Sequence, residues 1–78
     1  MFLEIKKATY LQDYKLRLEF NEGTVMFVDL EHELNGKVFE PLKDKEYFRN
    51  FMIPYNTIEW ENGADFAPEF LFGIGKKL

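Results

Sequence analysis

The chain has 78 residues, 46% of them hydrophobic and 18% aromatic, with 14 acidic side chains against 10 basic ones and a formal net charge of -4. That aromatic content excludes a disordered chain, and the absence of Cys and Ser excludes disulfides, thiolate-bound metal and either nucleophile. The acidic balance argues against tight binding to phosphate backbones, which depends on clustered Lys and Arg, and no apolar run approaches the roughly 18 residues of a membrane span.

The chain opens Met1-Phe2-Leu3-Glu4-Ile5-Lys6-Lys7, without the basic-then-apolar order of a signal peptide, so a cytoplasmic location is expected. Residues 2 to 10 read as a strand with Leu3 and Ile5 inward, and the Lys6-Lys7 pair breaks its alternation in the manner of a bulge or an edge. A short turn at Gln12 and Asp13 leads to a second strand, in which Tyr14, Leu16, Leu18 and Phe20 alternate with Lys15, Arg17 and Glu19. Asn21, Glu22 and Gly23 form a three-residue hairpin loop, with Gly23 in the left-handed region. That loop places Phe20 opposite Thr24, Leu18 opposite Met26, Leu16 opposite Val28 and Tyr14 opposite Leu30. On the other face Lys15 meets Asp29 as an opposite-charge pair, while Val25 and Phe27 leave the surface partly apolar.

The two-residue period is lost over residues 31 to 50, and Pro41 disfavours helical geometry at Glu40, so short helical turns are expected there. The clearest starts with Asp44 as N-cap and presents Tyr47, Phe48 and Phe51 on one face. Residues 51 to 54 and 57 to 60 read as two short strands around a turn at Tyr55 and Asn56, with Pro54 marking an edge and Ile58 and Trp60 sharing a face. Asn62-Gly63 then turns the chain, Asp65 caps a terminal helical turn that tolerates Pro68 and stops at Gly73, and Gly75 to Leu78 fray. The expected fold is α+β: a small antiparallel sheet of about five short strands with two or three short helices, in a single domain spanning 1–78. Scaling by chain size gives roughly 5,000 Å² of accessible surface when folded against roughly 13,600 Å² extended, a thin core that the aromatics must fill.

The order of these features closely resembles a bacterial family known as domain of unknown function 2442. The resemblance is carried by Tyr14-x-Leu16-x-Leu18-x-Phe20, Val28-Asp29-Leu30, Val38-Phe39-x-x-Leu42 and, above all, Trp60-x-Asn62-Gly63-Ala64-Asp65-x-x-Pro68-Glu69-x-Leu71. It covers nearly the whole chain and departs only at Phe72, where the family often has Tyr. It implies a short bacterial α+β protein with no established catalytic residues. Members are often encoded beside another small protein, which implies a two-component module like a toxin and its antitoxin. Without a helix-turn-helix segment in this chain, any action on DNA is expected to be indirect.

Three constellations bear on function. Asp29, Glu31, His32 and Glu33 gather metal-type ligands around the sole His, but only alternate residues share a face, and the stronger reading is a solvated acidic turn with no metal or cofactor. Asp65 and Glu69, four apart, suit an acid and base pair walled by Trp60, yet cap, dipole and turn roles explain them and Asn62-Gly63 more simply. Trp60 is either an exposed partner anchor or, more in keeping with so small a core, buried. Lys6, Lys7, Lys15 and Arg17 are the residues from which a nucleic-acid patch would have to be built.

The favoured expectation is a non-enzymatic interaction or regulatory module that binds another small protein or itself through a sheet edge or the face bearing Val25 and Phe27, with Trp60, Asn62, Asp65 and Glu69 as further binding candidates. It engages neither nucleic acid directly nor a membrane. The alternative is a small carboxylate- or metal-dependent hydrolase using Asp65 and Glu69 or the Asp29 to Glu33 cluster.

Overall fold

The computed structural model describes residues 2–77. Three antiparallel strands, β1 (Ile5–Gln12), β2 (Lys15–Phe20) and β3 (Val25–Asp29), form a sheet in the order β1-β2-β3. Two 3-10 segments follow, Glu31–Glu33 and Lys37–Lys43, then helix α1 (Lys45–Phe48), an irregular stretch, and helix α2 (Pro68–Ile74). The accessible surface, 5033 Å², is what a chain of this size shows when it closes a core alone.

The β2–β3 register is the expected one: Leu16 faces Val28, Leu18 faces Met26, and Lys15 faces Asp29. Gly23 fixes it by adopting φ +99, a conformation that a side chain disfavours, and the pairing extends past the strand ends through Phe20 N–H to Thr24 O (2.8 Å) and Leu30 N–H to Tyr14 O (2.9 Å). The tighter β1–β2 turn puts Asp13 at φ +49, a region that short polar residues tolerate. β1 lies at the sheet edge, and its register shifts between Ile5 and Lys7 and again between Tyr10 and Gln12, so the Lys6-Lys7 break marks both a bulge and an edge. Lys15 and Asp29 make no ion pair despite their register; the Asp29 Oδ1 accepts the Glu31 N–H (3.0 Å).

One face of the sheet carries the core. Leu16, Leu18, Phe20, Met26, Val28 and Leu30 bury against Leu42, Phe48, Ile58, Trp60, Phe66 and Leu71 from the second layer. Aromatic side chains bind that layer together, with Phe48 meeting Tyr14 edge-on at 5.2 Å and Trp60 at 5.6 Å. Among the described residues no helix or strand forms a second layer over the opposite face of the sheet.

Residues 51–66 do not add two strands. They make isolated bridges, Met52 to Glu59 and Glu59 to Asp65, so among the described residues the sheet has three strands rather than about five. Pairing cannot spread because Pro54 has no N–H to give and the chain turns again at Asn62-Gly63. Ile58 and Trp60 do share a face, both fully buried. Helix α2 also differs from expectation. Its N-cap is Ala67, with no side-chain capping bond, and Pro68 opens it, so Asp65 is two residues too early to cap. The helix runs through Gly73 and ends at Gly75, whose N–H donates to Leu71 O (3.0 Å). Nor does the tail fray there: Phe27 and Lys76 exchange backbone bonds of 2.8 and 2.9 Å along the outer edge of β3. Leu78 lies outside the described residues. Pro41 falls inside the 3-10 segment Lys37–Lys43 and does not end it at Glu40.

Candidate functional site

The segment carrying the Trp-x-Asn-Gly pattern is a clasp. Trp60 is buried, and its indole N–H donates to the carbonyl oxygen of Phe48 at 2.7 Å, satisfying a carbonyl at the end of α1 that the helix cannot pair itself. Asn62 makes three bonds: its Oδ1 accepts the Ala64 N–H (3.1 Å), its Nδ2 donates to Val38 O (2.8 Å), and its backbone N–H donates to the Tyr47 hydroxyl (3.1 Å). Nearby, the buried Thr57 hydroxyl donates to Phe66 O. These side chains are bonded within the chain, and Trp60 exposes no surface to a partner. Asp44 performs the capping role expected of it, accepting the Glu46 N–H (3.0 Å).

Asp65 and Glu69 are both exposed, and neither lines the groove beside Phe27 or the small cleft at Tyr47, Asn50 and Glu61. Asp65 stands opposite Glu59 in a bridge, which sets like charges side by side, and Glu69 sits in the first turn of α2, where the dipole favours a carboxylate. Among the described residues no three His, Asp or Glu side chains converge as a metal would need, and this includes Asp29, Glu31, His32 and Glu33. Nor do Lys6, Lys7, Lys15 and Arg17 make an unbroken basic surface. Lys6 pairs with Glu4 (3.1 Å) and Arg17 with Glu19 (2.7 Å), while Glu19 stands opposite Lys7 in the sheet. Lys45, whose ammonium donates to Asp13 (3.1 Å), has its pKa raised by that hydrogen bond first and by the same carboxylate's charge second. It is an exposed tie between α1 and the β1–β2 turn.

A concavity lies along the open sheet face. Leu11, Lys15, Phe27, Asp29, Glu33 and Lys76 surround a groove of about 520 Å³, with Val28 and Ile74 completing its wall. Val25 and Phe27 are half-buried and share this face; Leu11 is 44% exposed on it. The structure thus brings Val25 and Phe27 together on this face and places the other candidates elsewhere, Trp60 within the core and Asn62, Asp65 and Glu69 on exposed positions. Leu11, Ile74 and Lys76 were not legible as neighbours of Phe27. Leu11 carried a signal, an apolar residue next to inward Tyr10 and so on the opposite face, whereas Ile74 and Lys76 arrive only through the tail's pairing with β3.

These features define a small α+β domain with a sheet covered on one side and a helical layer locked by a Trp–Asn clasp. The chain belongs to the family described as protein of unknown function (DUF2442), whose model matches residues 5–76. No curated protein and no solved structure matches it significantly. Among the described residues no helix is long and apolar enough to cross a membrane.

Proposed function

We propose that the protein is a non-enzymatic interaction module whose working surface is the open face of the sheet. The observation that carries this reading is the groove beside Phe27, where half-buried and exposed apolar side chains stand among charges of both signs and, among the described residues, no second layer from the same chain covers them. Core-forming sheets bury an apolar face against something, and large exposed apolar patches mark contacts. Of the carboxylates a hydrolase would use, Asp65 and Glu69 lie apart from this groove on exposed positions, while Asp29 and Glu33 line it without a third His, Asp or Glu converging on them among the described residues. The partner is a small protein or another copy of the chain, and one half of a toxin–antitoxin-like pair is the two-protein form of the same proposal.

The test is co-purification from a bacterial host of a tagged chain, beside an untagged copy, with mass spectrometry of what is retained. A stoichiometric protein that stays with wild type and with Asp65→Asn/Glu69→Gln but is lost from Phe27→Glu is the expected result. Retention that ignores Phe27→Glu, or that requires Asp65 and Glu69, sinks the reading.

A further inference from the structure

We propose that the open face binds a second copy of this chain, sheet against sheet, about a two-fold axis. This rests on the interaction reading above and names the partner.

The strand edges are poor places for a partner. On β3 the outward backbone of Phe27 is already bonded to Lys76, and the outer edge of β1 is bent by two register shifts and carries Lys6 and Lys7. Adding a strand requires a straight, unpaired edge, and lysines on an edge oppose it. Association therefore falls to the side chains of the face.

Charge then selects the occupant. A two-fold contact sets a patch against itself, which penalises any surface of a single sign. From residue 50 to residue 75 the chain has four carboxylates, Glu59, Glu61, Asp65 and Glu69, and no Lys or Arg. None of the four has an ion-pair partner among the described residues, so a two-fold contact centred on that segment would set carboxylates against carboxylates. The open face is different. Lys15 stands across from Asp29 without pairing to it, Lys76 and Glu33 line the same groove, and Arg17 is neutralised by Glu19 within the face. Cations and carboxylates left unpaired in one copy find their opposites in the other, while Leu11 and Phe27 supply the apolar centre. Facing sheets pack about 10 Å apart with interdigitated side chains, and the groove gives a large side chain of the second copy a seat. A three-strand face is small, on the order of 1,200 Å² in total, which places the dimer among weak complexes.

Sedimentation equilibrium of the purified full chain up to about 200 µM tests this, a concentration at which even a weak dimer with a Kd on the order of micromolar is well populated. Wild type is expected to show a monomer–dimer equilibrium, Leu11→Glu and Phe27→Glu each to weaken it about tenfold or more, and Val38→Glu, which changes an exposed apolar residue away from this face, to leave it unchanged. Circular dichroism confirms that each variant is folded, and Leu11→Glu decides the matter if Phe27→Glu is not. A monomer throughout the range, or a dimer indifferent to both face variants, overturns the inference. Should the monomer nevertheless retain a different protein that Phe27→Glu releases, the interaction reading stands and only the self-association falls.

Discussion

Asn62 supplies the hydrogen that Pro41 lacks. In a 3-10 turn the N–H of residue 41 would donate to the carbonyl of Val38, but a proline nitrogen carries no hydrogen, and the Asn62 Nδ2 takes that place at 2.8 Å. The two residues are 21 positions apart in the chain, yet one is the remedy for the other.

Asn62→Asp keeps the acceptor for the Ala64 N–H and turns the donor toward Val38 into a second oxygen. It is expected to cost about 1–2 kcal/mol, read from urea denaturation. In a Pro41→Ala background the Val38 carbonyl gains a local donor, so the cost of Asn62→Asp should fall by about half or more. Equal costs in both backgrounds would show that the two residues are not coupled.

Trp60 joins packing and hydrogen bonding in one side chain. Trp60→Phe removes buried volume and leaves the Phe48 carbonyl without its donor, an expected loss of about 2–4 kcal/mol. In the wild-type protein, indole emission should resist acrylamide quenching until denaturant unfolds the chain. Ready quenching under native conditions would contradict the burial of this ring.

Gly75 is held by proximity, not by an unusual dihedral. A Cβ there would lie 2.9 Å from the Met26 Cβ and 3.0 Å from the Leu71 carbonyl oxygen. Gly75→Ala should therefore cost about 1–3 kcal/mol by overpacking and loosen the tail specifically. Amide exchange is the direct check: the Phe27 and Lys76 amides should accelerate more than that of Leu18 in the β2–β3 ladder.

Asp65 and Glu69 provide a contrasting pair. Since Asp65 does not cap α2, Asp65→Ala should leave stability within about 0.5 kcal/mol, whereas a true N-cap would lose about 1 kcal/mol on the same substitution. Glu69→Gln should lose a few tenths of a kcal/mol in a salt-dependent way through the dipole of α2. A large loss from Asp65→Ala would restore the capping role.

The β2–β3 hairpin was legible residue by residue because two local signals, strict alternation and the loop ending in Gly23, agree on one register. Asp44 as a cap and the short turns of residues 31–50 were legible for the same local reason. The extra strands were not, since a segment such as 57–60 has strand composition whether it forms a ladder or a single bridge. Trp60 and Asn62 were visible as special residues but not as a clasp, because their partners, Phe48 and Val38, are fixed by tertiary closure. The docking of Lys76 on β3 had no signal in the tail itself, where two lysines and two glycines suggest only solvent.

The distribution of contacts also sets an order of events in time. The sheet is a meander of neighbouring strands, built from short loops that close cheaply, whereas the bonds of the clasp span 12 residues from Trp60 to Phe48 and 24 from Asn62 to Val38. In refolding, the strands should therefore form before the helical turns are fastened over them. The single Trp of the chain, placed in that fastening, makes its fluorescence a clock for the last step: it should lag the far-ultraviolet signal of the sheet whenever the two are separable.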